Sequence, residues 1–487
     1  MSDISKLAAA ALARRAYDRG DMAFIIVAGG MVSLMVPGLA FLYGGLSRRK
    51  SALHLMWCVA ASNAITIFQW YFWGYSLAFS PTATNGYIGN LRSFALMEVL
   101  DGASPGSPLL PELLYSFFQM EFACVTVAIL MGAVAERGRV LPAMLFAFLW
   151  LTIVYCPLTC WVWNPNGWAF KYGVLDFAGG GPVEIGSGVG GLAYSWVLGR
   201  RRESELINFR PHNVSFVGLG TFILWFGWLG FNGGSAFGAN LRAIMAIWNT
   251  STIAGLVAAT PASGFIHPWG ALILGVLSGA ICNLSTKLKF LFRMDDALDL
   301  FAEHAMGGII GLIFNALFGA GSIIALDEVN TTMPGGWLDH NWKQLYIQIA
   351  YVVAATAYTF VVTAFLAKVL DMIPGLQLRS SEESEVLGMD ESQIGEFATD
   401  YVEVARHYLD GYFPTPTVQS EKAPVAAGDR HGVPETGLHQ RNPVLDGAAT
   451  RRDENGHGAS ASGSSVIEEK ATEGLVTAGA RHGQPEV

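Results

Sequence analysis

The stretch that decides the fold is residues 176–201, DFAGGGPVEIGSGVGGLAYSWVLGRR. It is apolar and rich in glycine, yet it opens on Asp176 and carries a second acid, Glu184, within the apolar run. Small residues let helix backbones approach closely in lipid, where no hydrophobic force drives helices together. An ionisable side chain in a spanning segment is costly and usually faces a pathway or a partner. The stretch therefore predicts a packed membrane helix with a functional acid.

The composition of the whole chain supports a membrane protein. The chain has 487 residues, of which 52% are hydrophobic and only 14% are charged, and its acids are concentrated in a polar tail. Without that tail, the remainder is too apolar for a water-soluble domain. Nothing resembles a nucleic-acid footprint, and the five cysteines lack the spacing of a metal site or a disulfide framework. Apolar stretches long enough to span a bilayer lie near 22–47, 52–80, 112–135, 140–160, 179–199, 212–234, 266–286, 303–325 and 344–372.

The basic residues between these stretches indicate an orientation. Alternate loops hold most of them, namely Arg48, Arg49, Lys50, Arg137, Arg139, Arg200, Arg201, Arg202, Arg210, Lys287, Lys289 and Arg293. By the positive-inside tendency these loops are cytoplasmic, which predicts that residues 1–21 form an extracellular polar tail. The basic residues of that tail would instead place it in the cytoplasm, but we follow the loops because they agree with one another along the chain.

A shift of 120 residues superimposes two segments of the chain. The matched pairs are Asp176 with Asp296, Glu184 with His304, Gly188 with Gly308, Gly191 with Gly311 and Leu192 with Leu312. By loop charge the two copies enter the membrane from opposite sides, which indicates an inverted repeat with its substrate path near the midplane. The repeat favours a functional role for Glu184 and His304 over a buried pair that only locks two helices together.

Four ordered motifs carry a resemblance to a known family. They are DFAGGGPVEIGSGVGGLAYSWVLGRR, LGTFILWFGWLGFNGGSA, FACVTVAILMGAVAER and DDALDLFAEHAMGGIIGL, from residues 176, 219, 122 and 295 onward. Together they resemble the ammonium transporter family (Amt/Mep/Rh), and HNWKQLYIQIAY looks most like its fungal Mep branch. The resemblance covers residues from about 22 to about 411. It implies an all-α polytopic fold with an inverted 5+5 helix repeat and a last helix in a transmembrane domain over 22–374. It also implies a plasma-membrane homotrimer, or a heterotrimer with related subunits, that is not an enzyme and holds no cofactor or metal.

The same resemblance implies a substrate path for ammonium and its analogue methylammonium. An outer vestibule would bind the cation between Trp163 and Ser235, and Phe122 and Phe231 would close its floor. Asp176 matches an acid that sets the vestibule's electrostatics, although a carboxylate at a helix start can equally cap backbone N–H groups.

Below this floor the resemblance implies a narrow apolar pore. His304 matches the second of two pore histidines, and Glu184 stands where the first would be. An apolar pore excludes bare cations because dehydration is costly, whereas ammonium can lose a proton and cross as NH3. Glu184 and His304 would then relay the proton. The alternative function is a non-conducting ammonium sensor or a defective regulatory subunit of a transporter trimer. An intramembrane enzyme is disfavoured, since no nucleophile and base pair accompanies these two residues.

Residues 241–262 are too short for the two spans that the family has there, because each crossing needs roughly 20 residues. Three alternatives remain: the segment is re-entrant or lies in the interface, it crosses once and inverts the later spans, or the gene is spliced or misread. Each threatens the integrity of the pore.

The polar end of the chain divides in two. Residues 375–411 resemble the family's cytoplasmic regulatory segment, and residues 412–487 have the composition of a disordered cytoplasmic tail.

Overall fold

The structure is a computed structural model that describes residues 17–100, 102–202, 210–252 and 255–399. The predicted disordered segment 412–487 and most of the predicted N-terminal tail lie outside these ranges. Within them the fold is helical and has no strand beyond two isolated β-bridges. Eight of these helices are long and apolar enough to span a membrane: α1 Arg19–Leu46, α2 Arg49–Phe79, α3 Glu112–Val134, α4 Val140–Tyr172, α6 Val214–Gly234, α9 Pro268–Leu291, α10 Phe301–Phe318 and α11 Gln344–Asp371. The others named below are α5 (residues 180–198), α7 Leu241–Thr252, α8 Leu256–Ala262 and α12 Glu382–Leu387.

Most predicted spans agree with the observed helices to within a few residues, but α4 runs twelve residues past the predicted position 160 and α10 ends seven residues before the predicted position 325. Gly319 follows the last helical residue, and the Gly336 amide donates a hydrogen bond to the Gly319 carbonyl at 2.8 Å. A Cβ atom at Gly336 would lie 2.3 Å from the carbonyl oxygen of Ala316. The returning loop therefore comes against the backbone of α10 at its end, a tertiary contact that hydropathy does not encode.

Glycines allow α6 to pack closely against α1. A Cβ atom at Gly227 would lie 2.2 Å from the Cγ atom of Met35, and one at Gly230 would lie 2.7 Å from the Cβ atom of Met31. Because real Cβ atoms do not approach so closely, any larger residue would push the two helices apart. The glycine content of these helices is thus a requirement of their packing.

The contact between α5 and α10 has the symmetry of the sequence repeat. A Cβ atom at Gly188 would lie 2.3 Å from the Ala305 amide nitrogen, and one at Gly308 would lie 3.5 Å from the Ile185 amide nitrogen and 2.7 Å from the Cβ atom of Glu184. Ala305 is the repeat equivalent of Ile185, 120 residues further along the chain. The glycine of each half therefore contacts the equivalent backbone position in the other half. Reciprocal contacts of this kind are expected across a two-fold axis. The predicted inverted repeat is thus present where α5 crosses α10.

Both repeated helices also begin in the same way. Asp176 accepts hydrogen bonds from the amides of Gly179, Gly180 and Gly181 at 2.6–2.9 Å, and Asp296 accepts one from the Phe301 amide at 2.8 Å. Phe301 is Gly181 shifted by 120 residues. Each start is a π-helical turn, a form that occurs mainly at functional sites.

The basic loops meet at one face of the fold, which we call the basic face. Glu136 forms ion pairs with Arg48 at 3.0 Å and with Arg201 at 2.9 Å, and Asp295 accepts from Arg201 at 2.8 Å. The Arg137 side chain donates to the carbonyl of Asp295 at 2.6 Å. These contacts join the loops that follow α1, α3, α5 and α9, so four of the loops predicted to share one side of the membrane do lie together.

The shortened region forms a re-entrant hairpin of α7 and α8. Arg242 at its start donates to the carbonyl of Gly264 past its end at 2.9 Å, so both ends lie at the face opposite the basic face. Asn249 links the two arms by donating to the carbonyls of Ser263 and Ile266, both at 2.8 Å. At 1.5 Å per residue the 12 residues of α7 reach about 18 Å, well short of the ~30 Å of a hydrocarbon core. Of the two arrangements predicted for these residues, the structure adopts the re-entrant one.

Part of the predicted regulatory segment lies against the basic face. The amide of Ser380 donates to the Arg137 carbonyl at 2.9 Å, and the amide of Arg139 donates to the Leu378 carbonyl at 2.9 Å. The Asp390 carboxylate accepts from the His54 amide at 2.7 Å and thereby caps the α-helical part of α2. Residues 400–411 of this segment lie outside the described ranges.

Candidate functional site

A cavity of about 390 Å³ opens at the face opposite the basic face. We call it the vestibule. Its lining includes Trp163, Asp176, Ser235, Arg242 and Asp327. Trp163, Asp176 and Ser235 thus share one cavity, with an ion pair that the sequence reasoning did not include, whereas Phe122 and Phe231 are not among its lining residues.

Trp163 and Ser235 bring an aromatic ring and a hydroxyl to this cavity. Trp163 is half-buried, and its indole N–H donates to the carbonyl of Asp176 at 3.2 Å. The Ser235 hydroxyl donates to the carbonyl of Phe231 at 2.9 Å, which leaves its oxygen lone pairs available to accept. An indole face and a hydroxyl acceptor suit a small cation that has lost part of its hydration shell.

Two buried phenylalanines stack beside the vestibule. The ring centroids of Phe122 and Phe231 are 3.8 Å apart with an interplanar angle of 21°, and Phe122 also meets the edge of Trp163 at 6.0 Å. Helix α3 supplies Phe122 and α6 supplies Phe231, one from each half of the repeat. The stacked rings leave no space between them for a hydrated ion.

Glu184 and His304 form a buried pair at the crossing of α5 and α10. The Nδ1 atom of His304 lies 2.8 Å from Oε2 of Glu184, and both side chains are at least nine-tenths buried. The other carboxylate oxygen, Oε1, has no hydrogen-bond partner within the described part of the chain. A titratable pair with a free acceptor atom is able to take up or pass on a proton.

Asp176 is engaged in holding the start of α5. Its two oxygens accept from three successive backbone amides, and the hydroxyl of Tyr351 lies 3.4 Å from Oδ2. Of the two roles that the sequence left open, capping is the one for which the contacts are present. The carboxylate still lines the vestibule and contributes its charge there.

The sequence reasoning missed the ion pair between Arg242 and Asp327, whose atoms lie 2.6 Å apart at the vestibule wall. The Arg242 guanidinium also lies 4.9 Å from the ring centroids of both Phe177 and Phe265. Burial alone would raise the pKa of Asp327, but the adjacent Arg242 lowers it below its usual value. The sequence shows two opposite charges, Arg242 and Asp327, in separate segments on the predicted outer side. It does not show that they pair, because that depends on the tertiary structure.

Membrane-length helices in two inverted halves, with a polar vestibule, an aromatic stack and a buried acid and imidazole between the halves, define a polytopic membrane transporter. A family model described as "Ammonium Transporter Family" matches residues 23–252 and 243–399. The chain belongs to the ammonium transporter family, which is a family of transporters and not of enzymes.

Individual relatives agree with the family match. The ammonium transporter MEP3 of Saccharomyces cerevisiae is 53% identical over 422 positions, which cover 80% of this chain and 86% of that protein. Ammonium transporter 2 of Schizosaccharomyces pombe is 50% identical over 80% of this chain and 83% of its own length. The crystal structure of Saccharomyces cerevisiae Mep2 is similar with a TM-score of 0.71 and 42% identity over 75% of this chain and 91% of that one.

The comparisons also locate the shortened region. The family model matches in two pieces that overlap at residues 243–252, within α7. In the MEP3 alignment, 80% of 487 residues, or about 390, fill 422 positions, so about 30 positions of that relative have no counterpart here. The hairpin therefore stands where relatives have more chain.

Proposed function

We infer that this chain is an ammonium transporter of the plasma membrane. In the proposed mechanism, NH4+ binds in the vestibule, loses a proton at the phenylalanine stack, and crosses the apolar section as NH3 while Glu184 and His304 relay the proton. The observation that carries this proposal is the 2.8 Å contact of Glu184 with His304 at the crossing of the two inverted halves.

The first step is cation binding in the vestibule. Ammonium that loses water molecules on entry gains from the electron-rich face of Trp163 and from the accepting oxygen of Ser235. Asp176 and Asp327 add negative charge to the wall, although Arg242 offsets the second. The vestibule therefore favours a small cation but has no means of carrying it further in charged form.

The second step is deprotonation at Phe122 and Phe231. Their stacked rings offer no hydrogen bonds, so a cation passing them would lose its hydration without replacement. Potassium has no route around that penalty, whereas ammonium can leave a proton behind. Selectivity then follows from the chemistry of the permeant.

The third step is proton transfer through Glu184 and His304. The pair bridges α5 and α10, and Oε1 of Glu184 has no hydrogen-bond partner among the described residues. A carboxylate oxygen and an imidazole nitrogen differ as hydrogen-bonding groups, so a histidine at this position would not provide the same acceptor. We therefore expect the pH dependence of transport to differ from that of relatives with two histidines.

The test is uptake of methylammonium in cells that lack their own ammonium permeases. Glu184→Gln keeps the size of the side chain and removes its titratable carboxyl group, and His304→Ala removes the imidazole. We expect both to lose most uptake, while the matched controls Glu98→Gln and His340→Ala retain it because both residues lie in exposed loops. Full uptake by either relay variant at equal surface expression would rule out the relay.

A second candidate function is a non-conducting sensor or a regulatory subunit, and the shortened hairpin is the observation that favours it. Absence of uptake by the unaltered chain, together with a changed uptake by a co-expressed full-length relative, would support this candidate. Uptake by the chain alone would support transport.

We further propose the assembly and orientation expected of the family. The chain forms a homotrimer or a heterotrimer with related subunits, its N-terminus is extracellular, and its basic face and C-terminus are cytoplasmic. Residues 375–411 act as a regulatory segment, which is supported by the contacts of residues 378–390 with the basic face. Epitope tags at both ends, probed in intact and permeabilised cells, test the orientation.

A further inference from the structure

The re-entrant hairpin covers only part of α9 and α10. Near its tip, a Cβ atom at Gly255 would lie 3.0 Å from the hydroxyl oxygen of Ser278 on α9, and the Val257 side chain lies 2.7 Å from the Cβ position of Gly307 on α10. Among the described residues, neither arm extends from these contacts toward the basic face.

Helix α9 is less covered in the turn that follows this level. Up to Ser278 it has a regular buried stripe, made of Gly270, Ala271, Leu274, Gly275 and Ser278. The helical period continues that stripe to positions 281 and 282. There Ile281 is 36% exposed and Cys282 is only half-buried, whereas Ser285, the next position of the stripe, is buried. The turn of α9 around Ile281 and Cys282 is therefore less covered than the turns before and after it.

Glu303 lies on the uncovered side of α10. It is exposed, although it sits in a membrane-spanning helix directly before His304, which bonds to the other half of the repeat. Nothing within the described ranges donates a hydrogen bond to its carboxylate. A carboxylate at this depth is not stable against lipid, because hydrocarbon provides no hydrogen bonds and little screening. Its surroundings therefore have to contain water.

We propose that the half of the conduit toward the basic face is an aqueous cleft between α9 and α10, in which the Glu303 carboxylate attracts hydrated monovalent cations. Lys289 and Asp299 form an ion pair of 2.7 Å where the cleft opens at the basic face, and both are partly exposed there. Cations from that side then reach the neighbourhood of His304 with their hydration shells. The dry barrier is confined to the section between the phenylalanine stack and the Glu184–His304 pair. This inference concerns hydration and holds whatever the chain transports.

The chain contains a native probe of this cleft. The Sγ atom of Cys282 lies 4.0 Å from the carbonyl oxygen of Glu303, and Cys282 is half-buried, whereas the other four cysteines are buried. Thiols react with methanethiosulfonates as thiolates, which form in water. A membrane-impermeant reagent with a trimethylammonium group is applied to sealed vesicles of either orientation, and modification is measured by mass spectrometry.

We expect Cys282 to react only when the reagent reaches the basic face, and Cys282→Ala to abolish the reaction. The matched control is Val276→Cys in the Cys282→Ala background, because Val276 is 74% exposed on the same helix but lies on the side opposite its buried stripe, away from α10. It is expected not to react from either side. Absence of reaction at Cys282 in vesicles, with reaction after denaturation in detergent, would mean that lipid or another copy covers the cleft and would overturn the proposal.

The role of Glu303 is tested with Glu303→Gln and reagents of opposite charge. Two unit charges roughly 5 Å apart in water at physiological salt change the rate of their encounter by roughly threefold. We therefore expect Glu303→Gln to slow the cationic reagent by about that factor and to speed an anionic sulfonate reagent. Unchanged rates for both reagents would show that Glu303 does not line the cleft.

Discussion

The contact between α5 and α10 leads to a prediction about Gly188. Replacing Gly188 with alanine places a Cβ atom 2.3 Å from the Ala305 amide nitrogen, whereas an ordinary contact begins at 3.4 Å. The two backbones have to separate by about 1.1 Å, since the obstacle is main chain and cannot rotate away. The Glu184–His304 contact lies one turn away, and the same shift would lengthen it from 2.8 Å to about 3.9 Å, which is no longer a hydrogen bond.

Two costs follow from that separation. Overpacking of a tight contact costs about 1–3 kcal/mol, and loss of a hydrogen bond to a charged group costs about 1.5–3 kcal/mol. We expect Gly188→Ala to lower the melting temperature in detergent. We also expect it to reduce methylammonium uptake by about tenfold or more, because 1.4 kcal/mol corresponds to a factor of ten.

The matched control is Gly218→Ala in α6. A Cβ atom there would meet nothing within 4 Å, and alanine favours a helix over glycine by about 0.5–1 kcal/mol. Gly218→Ala should therefore keep or raise the melting temperature and keep uptake. If Gly188→Ala matches Gly218→Ala in both measurements, the reasoning from the close crossing is wrong.

Three further predictions concern the ion pairs and caps. Arg242→Ala leaves Asp327 buried without its partner and should cost about 3 kcal/mol, seen as a fall in melting temperature that the exposed pair variant Arg92→Ala does not produce. Burial alone would raise the pKa of Asp295, but its arginine partners lower it to about 2. The stability that this carboxylate contributes is therefore present above about pH 4 and is lost as the pH falls toward 2, so Asp295→Asn should flatten the pH dependence of the melting temperature in that window. Asp390→Ala removes the cap at the start of α2 and should cost about 1 kcal/mol, measured as faster proteolysis of the segment around residues 382–394 with Glu383→Ala as the control.

Much of the fold was predictable because hydropathy and glycine spacing act locally. The spans from α1 to α6 and from α9 to α11 follow from runs of apolar residues, since the bilayer requires a fixed length of helix. The inverted repeat was also readable, because its capping acids, ionisable residues and glycines recur at one offset. The residues of the phenylalanine stack could not be predicted from such local patterns. The chain has 29 phenylalanines, and only the resemblance to the family indicated Phe122 and Phe231.

The sequence by itself determined the membrane class, the two related halves and the equivalent positions of Glu184 and His304 in them, because each depends on composition or on a repeated spacing along the chain. The tertiary structure alone decided that residues 241–262 turn back on themselves and that Glu303 is left exposed. It also decided that Arg242 joins the two ends of that hairpin and forms an ion pair with Asp327. These features depend on which surfaces meet across the bundle, and a missing stretch of chain changes what its neighbours touch without changing their own sequence.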